Sequence, residues 1–169
     1  MYRVKNLLDT SALLTLYNSL VLPYLTYCVE AWGNTYPTNL LSIIRLQKRA
    51  VRTLGNLGFC DHTNPVFISL NLLKFVDLVK LKTGVLMYKC YHGLLNERLN
   101  RLFSLNNSNT RQKMNFYVIY KRTKLKSFSI SCYGVLLWNN LDIDIRSSKS
   151  VIIFKRKMKK YLISLYMDS

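Results

Sequence analysis

The chain has 169 residues, is 50% hydrophobic, and carries 25 Lys and Arg against 8 Asp and Glu, a formal net charge of +17. That length and apolar content exclude a disordered basic tail and fit a globular chain with a sizeable core. So lopsided a charge strains the compact state by self-repulsion, and a polyanion relieves it, which makes the backbone of RNA or DNA the leading partner.

Asp9, Thr10 or Ser11 is placed to cap a helix running towards Leu22. Pro23 removes a backbone donor and predicts a kink or break, with helix resuming through Ala31. Residues 10–29 carry no charge, about the length of a membrane span, but Thr10, Ser11, Thr15, Asn18, Ser19 and Thr26 load the window with polar groups. The expectation is a packed helix pair and no membrane partner. After the turn-forming run Gly33 to Asn39, Thr38 or Asn39 caps a second helix to about Leu54, with Gly55 as its stop. Leu40, Ile43, Ile44, Leu46, Ala50, Val51 and Leu54 are assigned to its apolar face. Arg45, Lys48, Arg49 and Arg52 recur at i, i+3, i+4, i+7 on the other, a stripe of four cations with no acid between them.

Asn64-Pro65 opens a short helix to about Leu72, and Phe75 to Tyr91 is apolar nearly all round, the pattern of a central buried helix. Residues 96–115 read as a loop or linker. Beyond it, Phe116 to Tyr120 is rich in β-branched and aromatic residues, and Ser127 to Cys132 alternates polar with apolar. These features predict a β-hairpin whose turn holds Lys121, Arg122, Lys124 and Lys126. A short helical run ends near Leu141, and a last helix from Ser148–Ser150 to about Tyr166 carries Lys155, Arg156, Lys159 and Lys160. The predicted fold class is mainly α (α+β), a compact helical domain with one small β-hairpin in its C-terminal half.

Two-metal nucleotidyl transfer needs carboxylates that hold ions about 3.5–4 Å apart. Here the acids are mostly solitary, there is no Tyr-x-Asp-Asp, and the close pair Asp142/Asp144 sits in a polar linker. No catalytic residue is assigned. Cys60/His62 and Cys90/His92 share a Cys-x-His spacing, but residues two apart on a helix point about 200° from each other, so no metal or cofactor is assigned either. The four cysteines lie far apart with no Cys-x-x-Cys, which predicts reduced thiols in an intracellular setting, nuclear or cytoplasmic. Trp32 and Trp138 are expected as core anchors, and Tyr117 and Tyr120 as the rings that stack on bases.

One set of landmarks is more specific than composition. It runs Pro23-Tyr24-Leu25-Thr26-Tyr27-Cys28, Trp32-Gly33, Leu46-Gln47-Lys48-Arg49-Ala50, Thr63-Asn64-Pro65-Val66-Phe67 and Met87-Tyr88-Lys89-Cys90-Tyr91-His92. It ends with Phe128 to Asn139 and Phe154 to Leu162. In this order the landmarks resemble the region that follows the polymerase core in jockey-like non-LTR retrotransposon reverse transcriptases. The resemblance implies a thumb-like part and a C-terminal extension, and the predicted elements divide the chain into a helical thumb-like part over 1–95, a loop or linker over 96–115 and a β-hairpin plus C-terminal helices over 116–169, or one continuous domain. It implies contact with RNA and target DNA, and with a polymerase core that has no counterpart here. The chain is then expected to be a catalytically inactive fragment of an RNA-directed DNA polymerase that binds nucleic acid non-specifically. The alternatives are a non-functional retroelement remnant and a structural piece that docks on the missing core.

Overall fold

The computed structural model describes residues 5–106 and 114–167. Much of the Asn-rich stretch within the expected linker, residues 107–113, lies outside the described part. Asp9 is the N-terminal cap, its carboxylate accepting from the Ala12 N–H at 3.1 Å, and α1 covers Thr10–Leu16. The next turn, Tyr17–Val21, is a π-helix in which the Leu22 N–H donates to the Tyr17 carbonyl. This widening is how the chain accommodates Pro23, whose ring would meet the preceding turn of a regular helix. Helix α2 (Leu22–Thr26) follows at once, and the real break comes later, at Cys28, in left-handed backbone with φ 46°. Helix α3 is the short Val29–Trp32.

Helix α4, Pro37–Leu54, begins one residue before the expected caps, with Pro37 in the first turn and Tyr36 at the cap position. It stops at Gly55, and Asn56 then takes the left-handed turn while the Leu57 N–H reaches the Arg52 carbonyl. The same ending closes α5 (Asn64–Ser69) through Asn71 and α6 (Phe75–Tyr91) through Gly93. A four-residue helix, α7 (Glu97–Asn100), is capped by Asn96 inside the stretch expected to be a loop. The remaining helices are α8 (Lys124–Phe128), α9 (Ile130–Asn139), α10 (Ile143–Arg146) and α11 (Val151–Ser164).

The predicted β-hairpin is overturned. Among the described residues there is no strand, only an isolated bridge between Leu105 and Phe116, and the fold is mainly α. The alternation from Ser127 to Cys132 is an accident of two short helices meeting. The Thr123 hydroxyl accepts from the Lys126 N–H to start α8, and Ser129 turns extended before α9 begins. The buried residues Ser131, Cys132, Val135 and Trp138 show the true period, i, i+1, i+4, i+7, which is helical. Phe116 pairs instead with the Asn139 side chain, donating to its Oδ1 and accepting from its Nδ2 at 3.0 and 2.9 Å.

Helix α6 is the central element, as its all-round apolar pattern predicts, with α9 and α11 packed on it. Glycine permits both approaches. A Cβ on Gly84 would sit 2.6 Å from Met158 Sδ of α11, and one on Gly134 of α9 would sit 2.9 Å from Met87 Sδ. One buried apolar cluster runs from Leu13 to Tyr166 and so joins both halves of the chain. Trp138 is fully enclosed between Tyr91 and Phe154, whereas Trp32, expected in the core, is only partly covered, with one face against Phe75.

A buried amide ties the start of α6 to its neighbours. Gln47 Nε2 donates to the Tyr17 hydroxyl at 3.0 Å and to the Leu73 carbonyl at 2.9 Å, and Gln47 Oε1 accepts from the Phe75 N–H at 2.7 Å. Leu46, assigned above to the apolar face, is 63% exposed, while Gln47 is 2% exposed at its centre. Replacing Gln47 by Leu removes three hydrogen bonds and strands their buried partners. The expected loss is about 3 kcal/mol, read from the urea midpoint at unchanged slope.

Candidate nucleic-acid interface

The predicted cations fall into three groups. On α4, Arg45, Lys48 and Arg49 are exposed, and Arg52 is half-buried with its Nε donating to the Asp61 carbonyl at 3.3 Å. The stripe therefore exists, although Arg52 is partly occupied in holding the following loop. Lys48 also borders a depression with two cations that sequence pattern does not single out, Lys74 and Lys80. These two serve the fold. Lys80 pairs with the buried Asp77 at 2.9 Å, and Lys74 lies 4.2 Å over the Tyr166 ring. The second Asp77 oxygen accepts from the Tyr166 hydroxyl at 2.7 Å, and burial, reinforced by that bond, keeps the phenol protonated well above its usual range.

The second group is not on a hairpin turn. Lys121 and Arg122 precede α8, while Lys124 and Lys126 lie on it and are exposed. Lys124 Nζ sits 5.4 Å over the Tyr36 ring, and Tyr36 meets Phe128 edge-on, so this group borders the turn before α4. Tyr117 and Tyr120 are largely exposed beside it.

The third group, on α11, lines two adjoining depressions. Lys155 and Lys159 line a trough with Lys82 of α6, and Arg156, Lys159 and Lys160 line the depression that adjoins it. Lys82 went unassigned because it interrupts a buried helix. The available signal was that a cation in such a helix must lie where the helix reaches the surface. Burial holds the Lys159 amine below the ordinary lysine value of 10.5. Lys157, on the same helix, is neutralised by Asp144 at 2.7 Å, which also gives that acid a structural role.

None of Arg45, Lys48, Arg49, Lys155, Arg156, Lys159 or Lys160 makes an ion pair among the described residues. The Cys-x-His pairs do not converge. Cys60 and His62 are exposed, whereas Cys90 is buried with its thiol pushed up to about 11 by desolvation. Among the described residues no group of three His, Cys, Asp or Glu is placed to hold a metal ion, and no helix is long and apolar enough to cross a membrane. No family model, curated protein or solved structure matches the chain.

The electrostatics of Lys159 have a measurable consequence. Its charge, which attracts an anion, is present below its depressed pKa and is lost as pH rises through it, below the ordinary lysine value of 10.5. Affinity for an oligonucleotide is expected to fall early on the alkaline side, and Lys159→Arg, which keeps its charge, is expected to remove that early fall. Fluorescence anisotropy across an alkaline pH series checks it.

Proposed function

We propose that this chain is a non-specific nucleic-acid-binding module, the catalytically inactive C-terminal fragment of a jockey-like retrotransposon RNA-directed DNA polymerase, acting inside the cell in nucleus or cytoplasm. The observation that carries the binding reading is that Arg45, Lys48 and Arg49 of α4 and Lys155, Arg156, Lys159 and Lys160 of α11 have no carboxylate partner among the described residues. A fold that neutralised these groups internally would have no need of a polyanion. Phosphates that replace their counterions gain free energy from ion release, independently of base sequence. The order of landmarks from Pro23 to Leu162 supports the retroelement origin.

A second reading, a piece that docks on a polymerase core, is supported by Leu20, Tyr24 and Tyr27. All three are well exposed, Leu20 in the π-turn, Tyr24 on α2 and Tyr27 just after it. It predicts self-association in high salt, where nucleic-acid-driven association is absent.

The binding reading is tested with a labelled oligonucleotide titrated over a range of salt concentrations. Replacing Arg45, Lys48, Arg49 and Arg52 by Gln is expected to weaken binding equally across sequences. It should also flatten the plot of log affinity against log salt by about 0.7–0.9 for each phosphate that is no longer neutralised. The same holds for Lys155, Arg156, Lys159 and Lys160. A slope unchanged in both variants rules the reading out.

A further inference from the structure

The trough beside α11 has more to it than charge. Its volume is about 290 Å³, and its walls include Leu22, Leu72, Leu78, Leu81 and Val85, drawn from α2, the α5–α6 connection and α6. Lys82, Lys155 and Lys159 stand around these walls. Asn18 and Asn71 line it too, and neither side-chain amide has a hydrogen-bond partner among the described residues. Asn71 and Lys159 also line the adjoining depression of about 220 Å³, where Arg156 and Lys160 continue the line of positive charge. Among the described residues, no Asp or Glu lines either one.

Each component narrows the ligand. Cations alone accept any polyanion, and an apolar hollow alone accepts any small apolar group. Free amides beside apolar walls suit a flat group whose faces are apolar and whose edge carries donors and acceptors. A nucleobase has that composition, and the phosphates on either side of it have the charge the lysines need. In a duplex the base faces are stacked and the edges paired, so the hollow would go unfilled.

We infer that the trough receives one unstacked base of a single-stranded nucleic acid, with flanking phosphates on Lys82, Lys155 and Lys159 and on the adjoining Arg156 and Lys160. This rests on the phosphate-binding reading above and narrows it to single strands. Asn71 is held in place for the purpose. It adopts the left-handed backbone that ends α5, φ 52°, and the connection it belongs to is pinned two residues later by Gln47.

The test compares three labelled probes at one low salt concentration by anisotropy: a thymidine oligonucleotide, an abasic strand of the same length and charge, and a duplex of the same length. The thymidine strand is expected to bind about tenfold more tightly than the abasic one, the scale of a single well-buried base. It is also expected to bind more tightly than the duplex, despite the duplex's greater charge. Leu81→Gln, on the trough wall, is expected to erase the preference while leaving the salt dependence of the abasic strand unchanged. Equal binding of thymidine and abasic strands overturns the inference and leaves the phosphate-binding reading standing, as does a duplex that binds as tightly as the thymidine strand. Absence of salt-dependent binding to all three probes overturns both.

Discussion

Carboxylates are scarce in this chain, and the fold uses most of those it has on itself. Asp9 caps α1, and Asp61 accepts from the Gly58 N–H to close a turn. Asp77 is buried between Tyr166 and Lys80, Glu97 pairs with Arg101, and Asp144 pairs with Lys157. With 8 acids against 25 lysines and arginines, the carboxylates cannot pair one to one with the cations. Several of the other buried polar joints are made by neutral groups. Gln47 joins α4 to α6, Tyr17 meets it from the π-turn, and the Tyr88 hydroxyl donates to the Ser148 carbonyl at 2.6 Å. A neutral amide or phenol satisfies backbone groups without the desolvation cost of a buried charge.

This division of labour links folding to surface chemistry. The connection from α5 into α6 is held by Gln47 at Leu73 and Phe75 and by the Tyr166 hydroxyl, which accepts from the Lys74 N–H at 3.0 Å. Leu72 and Asn71, which line the trough, therefore take their positions from joints made on the far side of the same short loop. Gly84 lets α11 close on α6, and that closeness brings Lys155 and Lys159 to Lys82.

The helices were legible where period and punctuation agree. The apolar run of α6, the stop at Gly55 and the Ser150 cap of α11, whose hydroxyl accepts from the Ile153 N–H, all follow from local sequence. Gln47 was not legible, because a polar residue centred on an apolar stripe declares itself only through its partners, 26 to 30 residues away. Its neighbour Leu46 took the core position on hydropathy although its angle on the helix points away. The hairpin failed for a different reason. Six residues of alternation are too few to separate period two from two helix ends, and the next turn, at Val135 and Trp138, held the answer. The α11 cations were readable, but their grouping with Lys82 depends on how α11 crosses α6, which no local pattern encodes.

The most direct test of the central claim, that the fold leaves its surface cations unneutralised, is the melting temperature against ionic strength with and without a thymidine oligonucleotide. Unrelieved repulsion predicts that added salt alone raises the melting temperature from its low-salt value. It also predicts that the oligonucleotide raises it further in dilute buffer, and that this increment disappears as salt increases. A melting temperature indifferent to both salt and oligonucleotide in dilute buffer would contradict the claim.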